Sequence, residues 1–246
     1  MPVYVILKEF TNTLSSNVSR ADVIKQLYDL GYIRIHRNVL INQRKTIGDE
    51  SSVFNGLPLI FLRTSRELHK PSINEESNTF DLGSLILVAY RLPRDEKIQK
   101  ATNRLFRRAP CFKLARSVYI FPHIRYDKYE DSVLLWPNTL LRRMIILGVQ
   151  TTYIPKVTIS NASLTKSLIE DLKENLSKRA QRVLDDCMKL QQLPKSQLNK
   201  KNSELRIEIR VIRQLLLFYE KELKITHKNA NNCLRKALRS LSEVRK

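Results

Sequence analysis

The stretch of residues 84–122 most constrains the fold, because a helical pattern lies between two short apolar runs. Leu85–Tyr90 is aliphatic or β-branched and is bounded by a glycine and a proline, which is typical of a buried strand. Residues 94–108 then place their apolar side chains on one helical face, and a proline ends the helix. Phe112–Phe121 is a second apolar run with imperfect alternation. The stretch therefore predicts a β-α-β unit.

The helix of this unit carries positive charge on its other face. Lysines and arginines recur at helical spacing from Lys97 to Arg107, and acidic residues are scarce around them. Such a row can neutralise phosphates without reading sequence, although it could also be an ordinary solvated helix face. A second set of arginines shares one face of a later helical segment. We predict the following nucleic-acid-binding residues: Arg91, Arg94, Lys97, Lys100, Arg104, Arg107, Arg108, Arg116, Arg206, Arg210 and Arg213.

The charge of the whole chain supports this prediction. The 246 residues carry a formal net charge of +20, and 42% of them are hydrophobic, so the chain can bury a core and still present an unusually basic surface. A polyanion is the expected partner. Nucleic acid is the first candidate, with DNA favoured over RNA, ahead of an anionic membrane surface or an acidic protein.

The first part of the chain repeats the order of elements in the central stretch. Val3–Phe10 is a predicted strand, and Ser19 is a suitable N-cap for a helix over Arg20–Leu30. Tyr32–Ile41 alternates as a strand does, and Leu57–Leu62 is a further strand candidate. We interpret this order as a degenerate internal repeat of the central unit.

The rest of the chain divides by composition. A second helix is predicted within Tyr126–Leu147, interrupted at Pro137, and Gln150–Ile159 is predicted to be a strand. The remaining residues show three helical apolar patterns and almost no glycine or proline. The predicted class is α+β, with one or two ferredoxin-like β-α-β units followed by a basic helical hairpin or bundle. The predicted segments are residues 1–64 (N-terminal β-α-β unit), 65–83 (linker or surface loop), 84–160 (ferredoxin-like domain) and 161–246 (basic α-helical tail).

Residues suited to catalysis or metal binding do not form a recognisable pattern. The three cysteines are far apart, the four histidines are scattered, and there is no glycine-rich phosphate loop. The compact acidic group Asp127, Glu130 and Asp131 is better explained as a charged helix start. We therefore expect no cofactor, no metal and no catalysis. A cytoplasmic location is expected, because neither a signal-peptide pattern nor a long apolar stretch is present.

Two sequence motifs resemble known families. Tyr90–Pro93 ends a strand, a basic helix follows, and Ser117–Pro122 reads Ser-Val-Tyr-Ile-Phe-Pro. This arrangement resembles the N-terminal domain of chromate-resistance regulators and, more distantly, the small CRISPR-adaptation nucleases and the C-terminal part of phenylacetate-operon repressors. Leu205–Leu223 also resembles the helical segment that follows the sheet in the chromate-type domain. The resemblance covers residues 84–225 and implies a ferredoxin-like fold, DNA binding and a homodimer.

The chain departs from these families at one chemically decisive position. The nuclease family carries a metal-binding aspartate at the end of its first strand, where this chain has Arg91, and a cation cannot bind a divalent metal. The residues before the central unit do not match a winged helix either. We predict a non-enzymatic, homodimeric DNA-binding regulator or nucleoid-type protein. The alternatives are a divalent-metal-dependent nuclease and a structural subunit of a nucleoprotein assembly.

Overall fold

A computed structural model describes residues 2–8, 19–43, 57, 59–74, 79–126, 132–159, 161–190 and 194–243. These residues form ten strands and six helices. In chain order they are β1 (Val3–Leu7), α1 (Arg20–Asp29), β2 (Ile33–His36), β3 (Val39–Asn42), β4 (Leu59–Thr64), β5 (Ser72–Asn74), β6 (Thr79–Asp81), β7 (Leu85–Tyr90), α2 (Glu96–Arg107), β8 (Phe112–Ala115), β9 (Val118–Pro122), α3 (Pro137–Ile146), β10 (Thr151–Ile159), α4 (Ala162–Lys189), α5 (Lys195–Leu223) and α6 (Lys228–Glu243).

The predicted α+β class is confirmed. Eight strands form one antiparallel sheet in the order β2-β3-β1-β4-β10-β7-β9-β8, and β5 and β6 form a separate two-stranded sheet. Helices cover both faces of the large sheet. The sheet is therefore the middle layer. The helices are amphipathic, and their apolar faces are buried toward the sheet.

The large sheet consists of two units with the same strand order. The second unit runs β7-α2-β8-β9-α3-β10 and orders its strands β10-β7-β9-β8. The first unit runs β1-α1-β2-β3-β4 and orders its strands β4-β1-β3-β2; most of the segment between β3 and β4 lies outside the described residues. The connectivity of the second unit is β-α-β-β-α-β. The ferredoxin-like character of this unit stays a prediction. The homodimer also stays a prediction; within one chain, the two units pair through β4 and β10.

Two segments predicted as single strands are β-hairpins. Tyr32–Ile41 contains β2 and β3, and Phe112–Phe121 contains β8 and β9. The β2–β3 hairpin turns at Arg37 and Asn38, and the β8–β9 hairpin turns at Arg116 and Ser117. Ser117 has a φ of 61°. A turn without glycine or proline has no strong sequence signature, so the two apolar runs read as continuous strands.

The two hairpins are held to their units in the same way. The amide of Leu7, at the end of β1, donates to the carbonyl of Asn38 at 2.9 Å. The amide of Tyr90, at the end of β7, donates to the carbonyl of Ser117 at 3.0 Å. In both hairpins the register also shifts immediately before the turn. The internal repeat interpreted from the sequence therefore has a matching geometry.

β10 joins the units and bends the sheet. Its first half, up to Ile154, pairs with β7, and its end pairs with β4, with Val157 opposite residues of both strands. Between the halves lie Pro155, which has no amide to donate, and Lys156, with a φ of 57°. The two hairpin turns lie side by side, joined by a hydrogen bond from Asn38 to the carbonyl of Arg116, although β2 and β8 lie at opposite edges of the sheet.

Three apolar clusters hold the helices to the sheet. Alternate residues of each strand face opposite sides, so Leu87 of β7 belongs to the cluster shared with α4, α5 and α6. The next residue, Val88, faces the cluster that contains Phe106 of α2 and Met144 of α3. Leu27 of α1 packs on the corresponding face of the first unit. The molecule therefore has one helical layer on each face of the sheet.

The helical tail predicted over residues 161–246 is part of the sheet's core. Leu168 of α4, Ile212 of α5 and Leu234 of α6 are all buried in the cluster that includes the strands of both units. The Tyr219 hydroxyl also donates to the carbonyl of Cys111 at 3.3 Å. The apolar faces of the tail therefore pack on the sheet.

The segment predicted as a linker or surface loop over residues 65–83 is mostly exposed where it is described, and it is attached to the core at two places. Ile73 pairs with Phe80 in the small sheet, and Phe80 contacts the cluster beneath α4. Gly83 adopts a φ of +66°, and a β-carbon there would lie 2.5 Å from the carbonyl oxygen of His69. Only glycine fits this close approach, which fastens the segment to the start of β7.

Pro137 begins α3 and does not interrupt a longer helix. Trp136 is the N-cap residue, and Pro137 lies in the first turn. Proline is tolerated there because the amide of that position has no intrahelical acceptor. The residues just before, 127–131, lie outside the described part of the chain, and with them the acidic group Asp127, Glu130 and Asp131.

Burial of His227 predicts an acid-sensitive fold. The residue is 5% exposed, and neither ring nitrogen has a hydrogen-bond partner in the described structure. Burial, with a smaller contribution from Lys173, lowers the pKa of His227 from 6.5 to about 4. The unfolded chain therefore binds the proton more readily, so the stabilising contribution is complete above about pH 6.5 and is lost as the pH falls toward about 4.

We expect a His227→Leu variant to lose this part of the pH dependence. Urea unfolding of both proteins at about pH 7 and about pH 5 measures it, in a window above most carboxylate titrations. The wild type should lose more stability than the variant over this interval. Equal losses would show that His227 is not the residue responsible.

Candidate nucleic-acid interface

α2 presents a row of exposed cations because its other face is buried. Asp95 caps the helix, its Oδ1 accepting the amide of Lys97 at 2.6 Å. Thr102 and Phe106 are buried toward the sheet, which directs the opposite face to solvent. The exposed cations on that face are Lys97, Lys100, Arg104 and Arg107.

This α2 cation row is weakly neutralised. Lys100 pairs with Glu96 at 3.3 Å, but the two side chains are 70% and 81% exposed, and such pairs contribute little. Lys97 and Arg104 have no ion pair among the described residues. Their charge is therefore available to a polyanion.

The far end of the row is different. Arg107 lines a cavity of about 360 Å³ together with residues of α4 and α5, among them Asp186, Glu204 and Glu208. Its carbonyl also accepts a hydrogen bond from Nη1 of Arg179 at 3.0 Å. Two of these carboxylates pair with other cations, Glu208 with Arg179 at 2.7 Å and Asp186 with Lys201 at 3.0 Å. The part of the row that lies outside this mixed-charge cavity runs from Lys97 to Arg104.

The aromatic residues of the strands lie beneath α2. Phe106 stacks on Tyr119 with 4.0 Å between ring centroids, and Tyr90 stacks on Phe106 at 5.3 Å. Burial raises the pKa of Tyr90 and of Tyr119. These rings support the helix and are covered by it, so they are not a platform on which bases could stack.

A cleft lies where the two hairpin turns meet, beside the start of β10. Its volume is about 600 Å³. It brings together Arg91 at the end of β7 and Arg116 in the β8–β9 turn, which were both predicted, and it adds Arg37 in the β2–β3 turn, which was not. We call it the hairpin-turn cleft. It is lined by Ile35, His36, Arg37, Asn38, Arg91, Leu92, Arg116, Ser117, Gln150, Thr151 and Thr152.

Side-chain hydrogen bonds fix the two turns against each other. Nδ2 of Asn38 donates to the carbonyl of Arg116 at 2.8 Å, and Oδ1 of Asn38 accepts from Nη2 of Arg20 at 2.6 Å. Nε2 of His36 donates to the carbonyl of Tyr90 at 2.9 Å. These hydrogen bonds hold the backbone of the two turns together beside the cleft, and the exposed side chains of its arginines extend from that backbone.

His36 is neutral in this arrangement. Its Nε2 must carry the proton to donate to a carbonyl, and its Nδ1 accepts the amide of Asn38 at 3.3 Å. Burial lowers the pKa of His36, with smaller effects of the same sign from Arg34 and Arg37. The positive charge of the cleft therefore comes from its arginines.

The remaining predicted residues do not all join this surface. Arg94 is exposed in the loop between β7 and α2. Arg108 is half-buried, and its Nε and Nη2 donate to the carbonyl of Val133 at 3.0 and 2.7 Å, so its guanidinium has a structural partner. Burial and Arg143 lower the pKa of Arg108.

The predicted arginines of α5 lie on the other face of the sheet from α2. Arg206 is partly buried and its Nε donates to Oδ1 of Asn202 at 2.9 Å. Arg210 and Arg213 are exposed. The predicted residues thus belong to two groups, one around α2 and one on α5, and the two helices share the cavity that Arg107 and Glu208 line.

Sequence reasoning missed Arg37, although a signal was present. The segments around the two turns read Ile-His-Arg-Asn-Val-Leu-Ile and Leu-Ala-Arg-Ser-Val-Tyr-Ile. Aligning them places Arg37 beside Arg116 in equivalent turns. The repeat, followed at residue level, would have indicated a second turn arginine.

The comparisons with known proteins add no further constraint: no protein-family model, curated protein or solved structure matches the chain. Within the described ranges, no group of three or more His, Cys, Asp or Glu residues is placed to hold a metal ion. In the same part of the chain, no helix is long and apolar enough to span a membrane.

Proposed function

We propose that the protein binds DNA through its phosphate backbone, with the α2 cation row as the main contact. The observation that carries this proposal is the stretch of exposed cations from Lys97 to Arg104 with one exposed acidic partner, Glu96, among the described residues. Arg91 and Arg94, both exposed, precede the row in the chain and extend it past the start of the helix. Each cation that meets a phosphate releases condensed counterions, which favours binding.

The dimensions of the row suit a nucleic-acid backbone. Lys97 and Arg107 are ten residues apart on α2, which is about 15 Å along a helix. Phosphates of one strand recur about every 3.4 Å along a duplex, so the row spans about four of them. Of the two amide side chains on this helix, Gln99 already donates from Nε2 to the carbonyl of Pro93 at 2.6 Å, whereas Asn103 is exposed. Contacts between the cations of the row and phosphates carry no sequence information. Binding without sequence readout favours a nucleoid-type role over that of a sequence-specific regulator.

The non-enzymatic part of the proposal rests on the ends of the first strands. Arg91 follows β7, and Lys8 follows β1 at the equivalent position of the first unit. The nuclease family that the sequence resembles uses an aspartate there. A cation at both positions opposes the binding of a divalent metal, so we propose binding without cleavage.

Binding and cleavage assays on one set of nucleic acids test the proposal. Fluorescence anisotropy with duplex DNA, single-stranded DNA and RNA of several unrelated sequences should show binding that favours duplex DNA and varies little with sequence. Incubation with Mg²⁺ or Mn²⁺ should leave all of them intact. Preferential binding of RNA would favour the alternative of a subunit in an RNA-containing assembly, and cleavage abolished by EDTA would favour the nuclease.

A further inference from the structure

We propose that the hairpin-turn cleft binds a phosphate monoester, supplied either by a free nucleotide or by the end of a nucleic-acid strand. Lys97, Lys100, Arg104 and Arg107 of the α2 cation row do not line the cleft, whereas Arg91, which extends the row, does. The lining of the cleft joins both units of the chain.

Three arginines from three different elements converge on the cleft without counter-charge. Arg37, Arg91 and Arg116 all line it and are exposed, and none of them forms an ion pair within the described structure. No acidic residue belongs to its described lining. The cavity at Arg107, by contrast, contains three carboxylates. A concave site with three guanidinium groups and no described acid favours the binding of an anion.

The shape of the cleft indicates a small or terminal group. Its volume of about 600 Å³ lies in the range of about 300–1,000 Å³ that is typical of small-molecule sites. The backbone of a duplex is convex, so its internal phosphates would meet the rim of such a cleft. A nucleotide or a strand end can enter it.

Charge favours a monoester over a diester. A phosphate monoester carries about −1.5 to −2 charges at neutral pH, and three terminal oxygens accept hydrogen bonds. Thr151, Thr152 and Gln150 add side chains that can donate to such a group or to its sugar. Because Asn38 holds the turn of Arg116 in place, little ordering is needed when the ligand binds.

Only one of the two possible sources of the monoester depends on the proposed function. Binding of a strand end rests on the proposal that the protein binds nucleic acid. Binding of a free nucleotide does not.

Paired ligands test the cleft. Binding is measured by calorimetry or anisotropy for one oligonucleotide with a 5′-phosphate and with a 5′-hydroxyl, and for adenosine monophosphate and adenosine. The Arg37→Ala/Arg116→Ala variant removes two of the converging charges, and the Arg37→Lys/Arg116→Lys variant keeps the charge but loses the guanidinium fork. The exposed residues Arg235 and Arg239 on α6 provide the charge-matched control Arg235→Ala/Arg239→Ala.

We expect at least one phosphorylated ligand to bind about tenfold more tightly than its unphosphorylated partner, since charge-assisted hydrogen bonds discriminate at about this level. The alanine variant should lose this preference, the lysine variant should lose most of it, and the control should keep it. A preference in the oligonucleotide pair alone identifies strand ends, and one in the nucleotide pair alone identifies free nucleotides.

Equal binding within both pairs would overturn the proposal, as would a preference that survives in the alanine variant. If the oligonucleotides bind tightly but without regard to the 5′-phosphate, the cleft proposal fails while the proposed function stands. If no oligonucleotide binds but the nucleotide preference is present, the proposed function fails while the cleft proposal stands.

Discussion

Replacing Lys97, Lys100 and Arg104 with alanine is expected to weaken DNA binding and to flatten its dependence on salt. Each phosphate contact contributes about 0.9 to the slope of log K against log salt, so the loss of three contacts should reduce the slope by about 2.7. Affinity at low salt should fall by about tenfold or more. All three side chains are exposed, so the fold should be unaffected.

A charge-matched variant controls for the loss of net charge. Arg235, Lys236 and Arg239 are exposed on α6, which packs on the opposite face of the sheet from α2. Replacing these three with alanine removes the same charge from a different helix. Its salt slope should stay close to that of the wild type. If both triple variants change the slope equally, the protein's overall charge binds DNA and the α2 cation row has no special part.

Leu216→Ala is expected to destabilise the protein far more than Leu217→Ala. The two leucines are neighbours on α5, yet Leu216 is 2% exposed and Leu217 is 56% exposed. Truncating a buried leucine costs about 2–5 kcal/mol of unfolding free energy, because apolar contacts are lost and a cavity remains. Truncating an exposed one usually changes it by less than about 0.5 kcal/mol.

Urea unfolding of the two variants decides whether the helical tail is part of the core. Leu216 belongs to the cluster that unites α4, α5 and α6 with the strands of both units. A large loss for Leu216→Ala in a single transition, as in the wild type, agrees with one shared core. Similar small effects in both variants would mean that α5 does not pack on the sheet as described.

Periodicity predicted most helices and strands, whereas the turns between them were harder. The helical spacing in α2 and the apolar run of β7 gave their positions to within a few residues. The turns at Arg37 and Arg116 were missed because neither contains the glycine or proline that marks most tight turns. Each of the two hairpins was therefore predicted as a single strand, and the β-α-β-β-α-β connectivity was not predicted.

One part of the candidate site could be predicted from the sequence and the other part could not. The α2 cation row was predictable because the spacing within one helix fixes which side chains share a face. The hairpin-turn cleft was not, since Arg37 and Arg116 are far apart in the chain and meet only where the sheet bends at Pro155 and Lys156. Local sequence contains little information about such a bend. The hydrogen bonds of Arg108 to the carbonyl of Val133 and of Arg206 to Asn202 were not predicted either.

The most direct test of DNA binding through the phosphate backbone is a salt titration of the wild-type protein on duplex DNA of unrelated sequences. Log K should fall linearly with log salt, with a slope of about −3.6 if the row meets about four phosphates, and the slope should be the same for each sequence. Binding that is absent at low salt, or whose strength does not change with salt, would contradict it.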